Sequence, residues 1–147
     1  MDLNKWAIKH NIGIEALNDL KVQMGLWTDH VQATSDVKSE ALVSDAIRLE
    51  AAKKGILLWR NNVGAMQDET GRVIRFGLAN DSQKVNKHIK SSDLIGIRPN
   101  GQFICREVKA SNWQYTGTER EVAQKKFIEL VLSHGGDAAF ATKAGEL

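Results

Sequence analysis

The stretch SSDLIGIRPNGQFICREVKA, residues 91–110, decides how the rest of the chain reads. Asp93 opens an apolar run, and Pro99-Asn100-Gly101 breaks it. A second apolar run then carries Glu107 and ends on Lys109. Two such runs around a Pro-Asn-Gly turn, with Gly at the left-handed position, predict a β-hairpin. Glu and Lys are residues that strands use sparingly. Side chains alternate across a strand, so Glu107 and Lys109 share a face. Asp93, at the start of the partner strand, comes close to Glu107.

Two readings of this pattern stand on spacing alone. One is a solvent-facing Glu107–Lys109 pair on an edge strand. The other is a site. Two carboxylates side by side repel unless a cation neutralises them. Oxygen ligands suit Mg²⁺ or Mn²⁺, with the Val108 carbonyl and water completing the shell. Lys109 then stands where it can hold an attacking water or steady charge developing on a phosphate. Phe103 and Cys105 share the face of Glu107, which argues against full exposure.

Outward from the hairpin, SEALVSDAIRLEAAKK (residues 39–54) predicts a helix, with Ser39 as N-cap and Gly55 closing it. Leu42, Val43, Ala46, Ile47 and Leu49 make its apolar stripe. Glu50 falls within that stripe and Glu40 at its edge, and a carboxylate on a core face calls for a partner, a metal or a wet cleft. ILLWRNN reads as a strand, and DETGRVIRFGL as a turn and a strand. NDSQKVNKHIK is polar; if it is helical, Lys84, Lys87 and Lys90 lie along one side. EREVAQKKFIELVLS (residues 119–133) predicts a helix with Val122, Phe127, Leu130 and Val131 inward, ended by Gly135-Gly136, and AAFAT a last strand. This order implies an α/β domain, a mixed sheet flanked by helices, over residues 37–147. Residues 3–25 read as two short helices broken near Asn11-Ile12-Gly13, part of a small N-terminal extension over residues 1–36.

Charge narrows the partners. The net charge of the 147 residues is only +2, but from Arg48 to Lys109 there are twelve Lys and Arg against six Asp and Glu. Such a local field attracts polyanions, nucleic acid first. Arg60, Arg75, Lys84, Lys87 and Lys90 are candidate phosphate contacts. Trp59 is expected to pack at the core or a sheet edge, and Trp113 is a candidate for base stacking. The four His share no ligand spacing, and the lone Cys105 reads as a packed strand residue. No apolar run approaches the ~20 residues of a membrane span, and no signal-peptide pattern opens the chain. A cytoplasmic protein is expected.

The set SSDLIGI…GQFICREVKA resembles the core motif of the PD-(D/E)XK nuclease superfamily. From Ser39 onward the chain is similar, more narrowly, to a phage-type VRR-NUC domain (virus-type replication-repair nuclease). SEALVSDAIRLEAAKKG, LWRNNVGA, GRVIRFGLANDS, KSSDLIGI and EVKA carry the likeness, followed by Gln124 in the next helix. Ser92 stands where the family has a proline. The resemblance implies a restriction-endonuclease-like fold and divalent-metal-dependent DNA cleavage, often on branched DNA. It implies catalytic roles for Asp93, Glu107 and Lys109, and a supporting one for Gln124. It also implies a catalytic helix glutamate, for which Glu40 is favoured by its place at the helix start, with Glu50 the alternative by periodicity. Junction resolution needs two sites, hence a homodimer, and the phage type points to an infected or prophage-carrying bacterial cell. A restriction- or packaging-type nuclease on linear duplex and a non-catalytic DNA-binding module are the rivals. Binding alone, however, needs no clustered carboxylates.

Overall fold

The computed structural model describes residues 37–147 throughout. Of the first 36 it describes Trp6, Ala7, residues 9–13, Ala16, Leu17, Leu20 and Met24. The chain forms two compact units, Met1–Asp36 and Val37–Leu147. In the first, Trp6, Ala7 and Lys9 are helical, and so are Ala16, Leu17 and Leu20, on either side of Asn11 at φ 54. Ala7 and Leu17 are buried. The rest of the two short helices read over residues 3–25 lies outside the described residues.

The second unit is a mixed α/β domain. It runs α1 (Glu40–Lys53), β1 (Leu57–Arg60), β2 (Gly64–Gln67), β3 (Val73–Phe76), α2 (Gln83–His88), β4 (Leu94–Ile97), β5 (Phe103–Val108), α3 (Glu119–Ser133) and β6 (Asp137–Ala141). One four-stranded sheet has the order β1-β4-β5-β6, and β2 and β3 pair separately. β4 is antiparallel to both β1 and β5, while β6 is parallel to β5, reached by a crossover through α3. The sheet is therefore mixed, with a helix on each face.

Local chemistry sets the elements. The Ser39 hydroxyl accepts from the Leu42 N–H and caps α1. Gly55, at φ 69, lets the chain turn out of the helix, with Ile56 N–H donating to the Ala51 carbonyl and packing on Ala51. At the hairpin tip, Gly101 N–H donates to the Arg98 carbonyl with Gly101 at φ 85, as the Pro-Asn-Gly turn requires.

The parity of β5 divides the core. Ile104 and Val108 face α1, against Ala51 on one side and Val43 and Ile47 on the other. Cys105 faces α3, against Phe127, Ile128 and Val131. The buried stripe of α1 is thus Val43, Ile47 and Ala51, one residue every fourth. Leu42 and Leu49, expected in it, are exposed. On α3, Phe127 and Val131 are buried as the spacing predicts, but Val122 and Leu130 stay at the surface, and Ala123, Gln124 and Ile128 turn inward instead. A single sheet face accepts a narrower arc of helix than a count of apolar residues suggests. Trp59 lies at the sheet edge, on β1, with half its surface exposed.

Glu50 holds the end of the chain. Its carboxylate accepts from the N–H groups of Gly145, at 2.6 Å, and Leu147, and pairs with Lys54 at 2.8 Å. The Lys54 hydrogen bond, with those of the backbone, keeps its carboxyl below the usual range. Glu50→Ala is expected to lower stability by about 1–3 kcal/mol, read as a drop in denaturation midpoint at unchanged slope. An unchanged midpoint would show that the last residues add nothing to the fold.

Glu121, the third residue of α3, gathers the connection before the helix. It accepts from Trp113 Nε1, from Thr116 and from Thr118 N–H, and Glu121 N–H in turn donates to Thr118 Oγ1. Burial works to raise its pKa, but these donors outweigh it and hold the carboxyl at about 2. Its stabilisation is therefore complete above the ordinary value near 4.5 and fades as pH falls toward 2. Glu121→Gln is expected to melt below the native protein at pH 7, with the gap closing as the medium is acidified. A gap that persists in acid would remove the charge from this account.

Candidate functional site

The β4–β5 register pairs Leu94 with Arg106. Continued by one residue, it sets Asp93 opposite Glu107, and the shared parity points both toward α3. Asp93 sits at the rim, exposed, while Glu107 is 2 % exposed. Two backbone bonds fix Asp93: its carbonyl accepts from Asn61 N–H at 2.7 Å, and its Oδ2 accepts from Val108 N–H at 3.0 Å.

Glu107, Lys109 and Gln124 close a triangle beneath the rim. Lys109 Nζ donates to Glu107 Oε1 at 3.2 Å and to Gln124 Oε1 at 3.1 Å, and Gln124 Nε2 donates to Glu107 Oε1. All three are buried. A buried ammonium and carboxylate persist only with their remaining hydrogen bonds supplied, and Gln124 supplies one to each. Lys109 also lies 5.8 Å from the ring centre of Trp113, which packs on Phe140. Trp113 is thereby part of the wall that holds Lys109. Burial, then the neighbouring Asp93 charge, raises the Glu107 carboxyl to about 7, against the pull of Lys109.

A cleft of about 320 Å³ opens over this group. Asp93, Glu107 and Gln124 form one side, and Arg75 of β3, Lys90 of the segment after α2 and Arg120 of α3 add three cations. Asn80, almost wholly buried, accepts from Arg75 Nη1 and donates to the carbonyls of Gly64 and Phe76. Asn61 donates to Ser91 Oγ and to the Ser92 carbonyl, and accepts from Leu78 N–H. These two amides fasten the β2–β3 hairpin beside the carboxylates as a cleft wall.

The expected site residues fare differently. Asp93, Glu107, Lys109 and Gln124 come together. Of the expected phosphate contacts, Arg75 and Lys90 line the cleft, and Lys87 borders the depression beside it. Arg60 and Lys84 are exposed and line neither. The three lysines do not share a helix side, because α2 ends at His88 and an extended Ile89 sets Lys90 apart. Glu50 is taken up by the chain end, and Glu40 is exposed on α1, the helix on the opposite face of the sheet from α3. Neither glutamate lines the cleft. Arg120, Asn80 and Asn86 line it without a prior sequence signal: Arg120 stands four residues before Gln124, one helical turn along the same side. β2 also went unforeseen, its GAMQ lacking any strand periodicity.

Among the described residues no three His, Cys, Asp or Glu side chains gather as a metal cage. The donors that are present still fit one hard divalent ion. Both N–H donors to Glu107 fall on Oε1, and its carboxyl also lies within hydrogen-bond reach of the Asp93 carboxyl. Asp93 takes its N–H donor on Oδ2. Two neighbouring carboxylates at an open cleft match an ion that keeps several waters and takes one or two carboxylates.

These features define a mixed α/β domain with a polar cleft at one end of its sheet. No protein-family model, curated protein or solved structure matches the chain. Among the described residues no helix is long and apolar enough to cross a membrane.

Proposed function

We propose that the protein is a divalent-metal-dependent DNA endonuclease built on a PD-(D/E)XK core of the phage VRR-NUC type. The observation that carries this reading is the pairing of Asp93 with Glu107 at the head of a cleft whose other charges are positive. A general anion-binding site has no use for two carboxylates at its centre, whereas phosphodiester hydrolysis needs both signs.

Asp93 and Glu107 would hold Mg²⁺ or Mn²⁺ by their carboxylate oxygens, with the Val108 carbonyl as a further donor. When bound, the ion supplies Lewis-acid polarisation of a phosphoryl oxygen. The chain does the rest. Gln124 keeps the Glu107 carboxylate and the Lys109 ammonium in one orientation. Lys109 carries a fixed positive charge at the edge of the site, where charge on the attacked phosphate grows. Arg75, Lys90 and Arg120 draw the phosphate into the cleft and orient it. Burial of Glu107 excludes bulk water from one side of the reacting group.

Branched DNA is the favoured substrate, and paired cuts at a four-way junction would require two copies of the chain. The test is purified protein against linear, flapped and four-way DNA, with Mg²⁺ and with EDTA. Cleavage of the branched forms with Mg²⁺ alone is expected. Cutting of linear duplex only would favour the restriction or packaging reading. No cutting of any DNA, with binding retained, would leave a DNA-binding module.

A further inference from the structure

The cleft does not end at its own walls. Asn86, Lys90 and Arg120 line both the cleft and a second depression of about 320 Å³ over the junction of α2 and α3. Lys87 and Glu119 line that depression and also a third, of about 210 Å³, which reaches Lys126. The three hollows therefore share walls in series, from the carboxylates outward along the α2–α3 seam. Lys90 N–H donates to the Ala123 carbonyl at 3.1 Å and fixes the seam.

Charge along this course is one-sided. Arg75, Lys90, Arg120, Lys87 and Lys126 line it, and Glu119 is the single carboxylate beyond Asp93 and Glu107. Among the described residues none of these five cations is in an ion pair; Arg48, Lys53, Arg60, Arg72 and Lys84 also have none, so it is the row along the seam that sets the five apart. Side-chain amides orient two of them instead: Arg75 bonds Asn80, and Lys90 bonds Asn86 at 2.6 Å. Unpaired cations in sequence are what a chain of phosphates requires. The three hollows lie in one row along a single seam, the course of one sugar-phosphate strand rather than of two.

We infer that a single nucleic-acid strand leaves the cleft along the α2–α3 seam, its successive phosphates held by Arg120, Lys87 and Lys126. The inference rests on the nuclease reading for the strand's position at the carboxylates, but its test needs no cleavage. Fluorescein-labelled oligothymidylate is titrated in EDTA and the anisotropy followed at several salt concentrations. Oligouridylate and a duplex of equal length serve as parallel probes. Arg120→Gln and Lys126→Gln are compared with Arg48→Gln and Lys53→Gln, exposed residues of α1 that remove the same charge from the opposite side of the sheet. Thermal melts establish that all four variants are folded.

Each seam variant is expected to bind about fivefold more weakly at 0.1 M salt, with the salt slope reduced by about 0.7. The α1 variants are expected to bind as the native protein does, and the oligouridylate to behave like the oligothymidylate. Equal losses from both pairs would overturn the seam path in favour of a diffuse field. Losses confined to the duplex probe would overturn the single-strand assignment. Seam-specific losses in a protein that cuts no DNA with Mg²⁺ would sink the nuclease reading while the path stands. Cutting with no seam-specific loss would do the reverse.

Discussion

Asp93→Ala and Glu107→Ala are each expected to lower Mg²⁺-dependent DNA cleavage by about three orders of magnitude, the scale on which a fixed electrostatic contribution to a transition state is lost. The two substitutions act differently on the fold. Asp93 is exposed, and its removal gives up the bond to Val108 N–H, a backbone donor within a strand that keeps its other pairings. Glu107 is buried, and its removal leaves Lys109 and one amide donor of Gln124 without their shared acceptor. Asp93→Ala should therefore remain folded, with a modest drop in melting temperature for the lost Val108 bond, and keep its DNA affinity in EDTA. Cleavage at native rates by a folded Asp93→Ala protein would end the assignment of the carboxylate pair.

Glu107→Gln is expected to make the metal-free protein more stable above neutral pH, while cleavage is lost. Burial and the Asp93 charge raise the Glu107 carboxyl from 4.5 to about 7. The unfolded chain thus releases this proton near 4.5, and the folded chain keeps it to about 7. Between those values stability falls as pH rises, and above 7 the whole loss is present. The difference corresponds to on the order of 3 kcal/mol. A neutral Gln is free of this cost and still accepts from Lys109. Denaturant midpoints of the two proteins should nearly coincide at pH 4.5 and diverge toward pH 8, the variant being the more stable. A native protein that is equally stable at both pH values would show that Lys109 fully compensates the buried charge. A site that destabilises its own fold is the usual cost of holding like charges for a function.

The main cleft also explains why Arg75 and Lys90 belong together although fifteen positions separate them. Arg75 comes from the β2–β3 hairpin and Lys90 from the segment after α2, and the amides of Asn61 and Asn80 bring the two segments against the Asp93 strand. Neither amide contacts both carboxylates. Asn61 ties the Ser91 hydroxyl to the Ser92 and Leu78 backbone, and Asn80 ties the Gly64 and Phe76 carbonyls while also orienting the Arg75 guanidinium.

Local sequence was enough for the hairpin, for α1 with its Ser39 cap, for the span and end of α3, and for the shared face of Glu107 and Lys109 with Asp93 close by, but not for the Thr118 cap of α3. Those features follow from local rules: turn chemistry at Pro99-Asn100-Gly101, capping by Ser39, and the two-residue period of a strand. It also singled out Gln124, through the resemblance rather than through periodicity. The tertiary structure alone decided which helix faces the carboxylates. α1 and α3 are both amphipathic, and nothing local distinguishes the two faces of β5. The parity of Cys105 and Glu107 against Ile104 and Val108 settles it, so Gln124 and Arg120 reach the cleft while Glu40 and Glu50 do not. Long-range register made the same choice for the bases, keeping Arg75 and Lys90 and leaving Arg60 and Lys84 outside, because charge composition carries no direction and packing does.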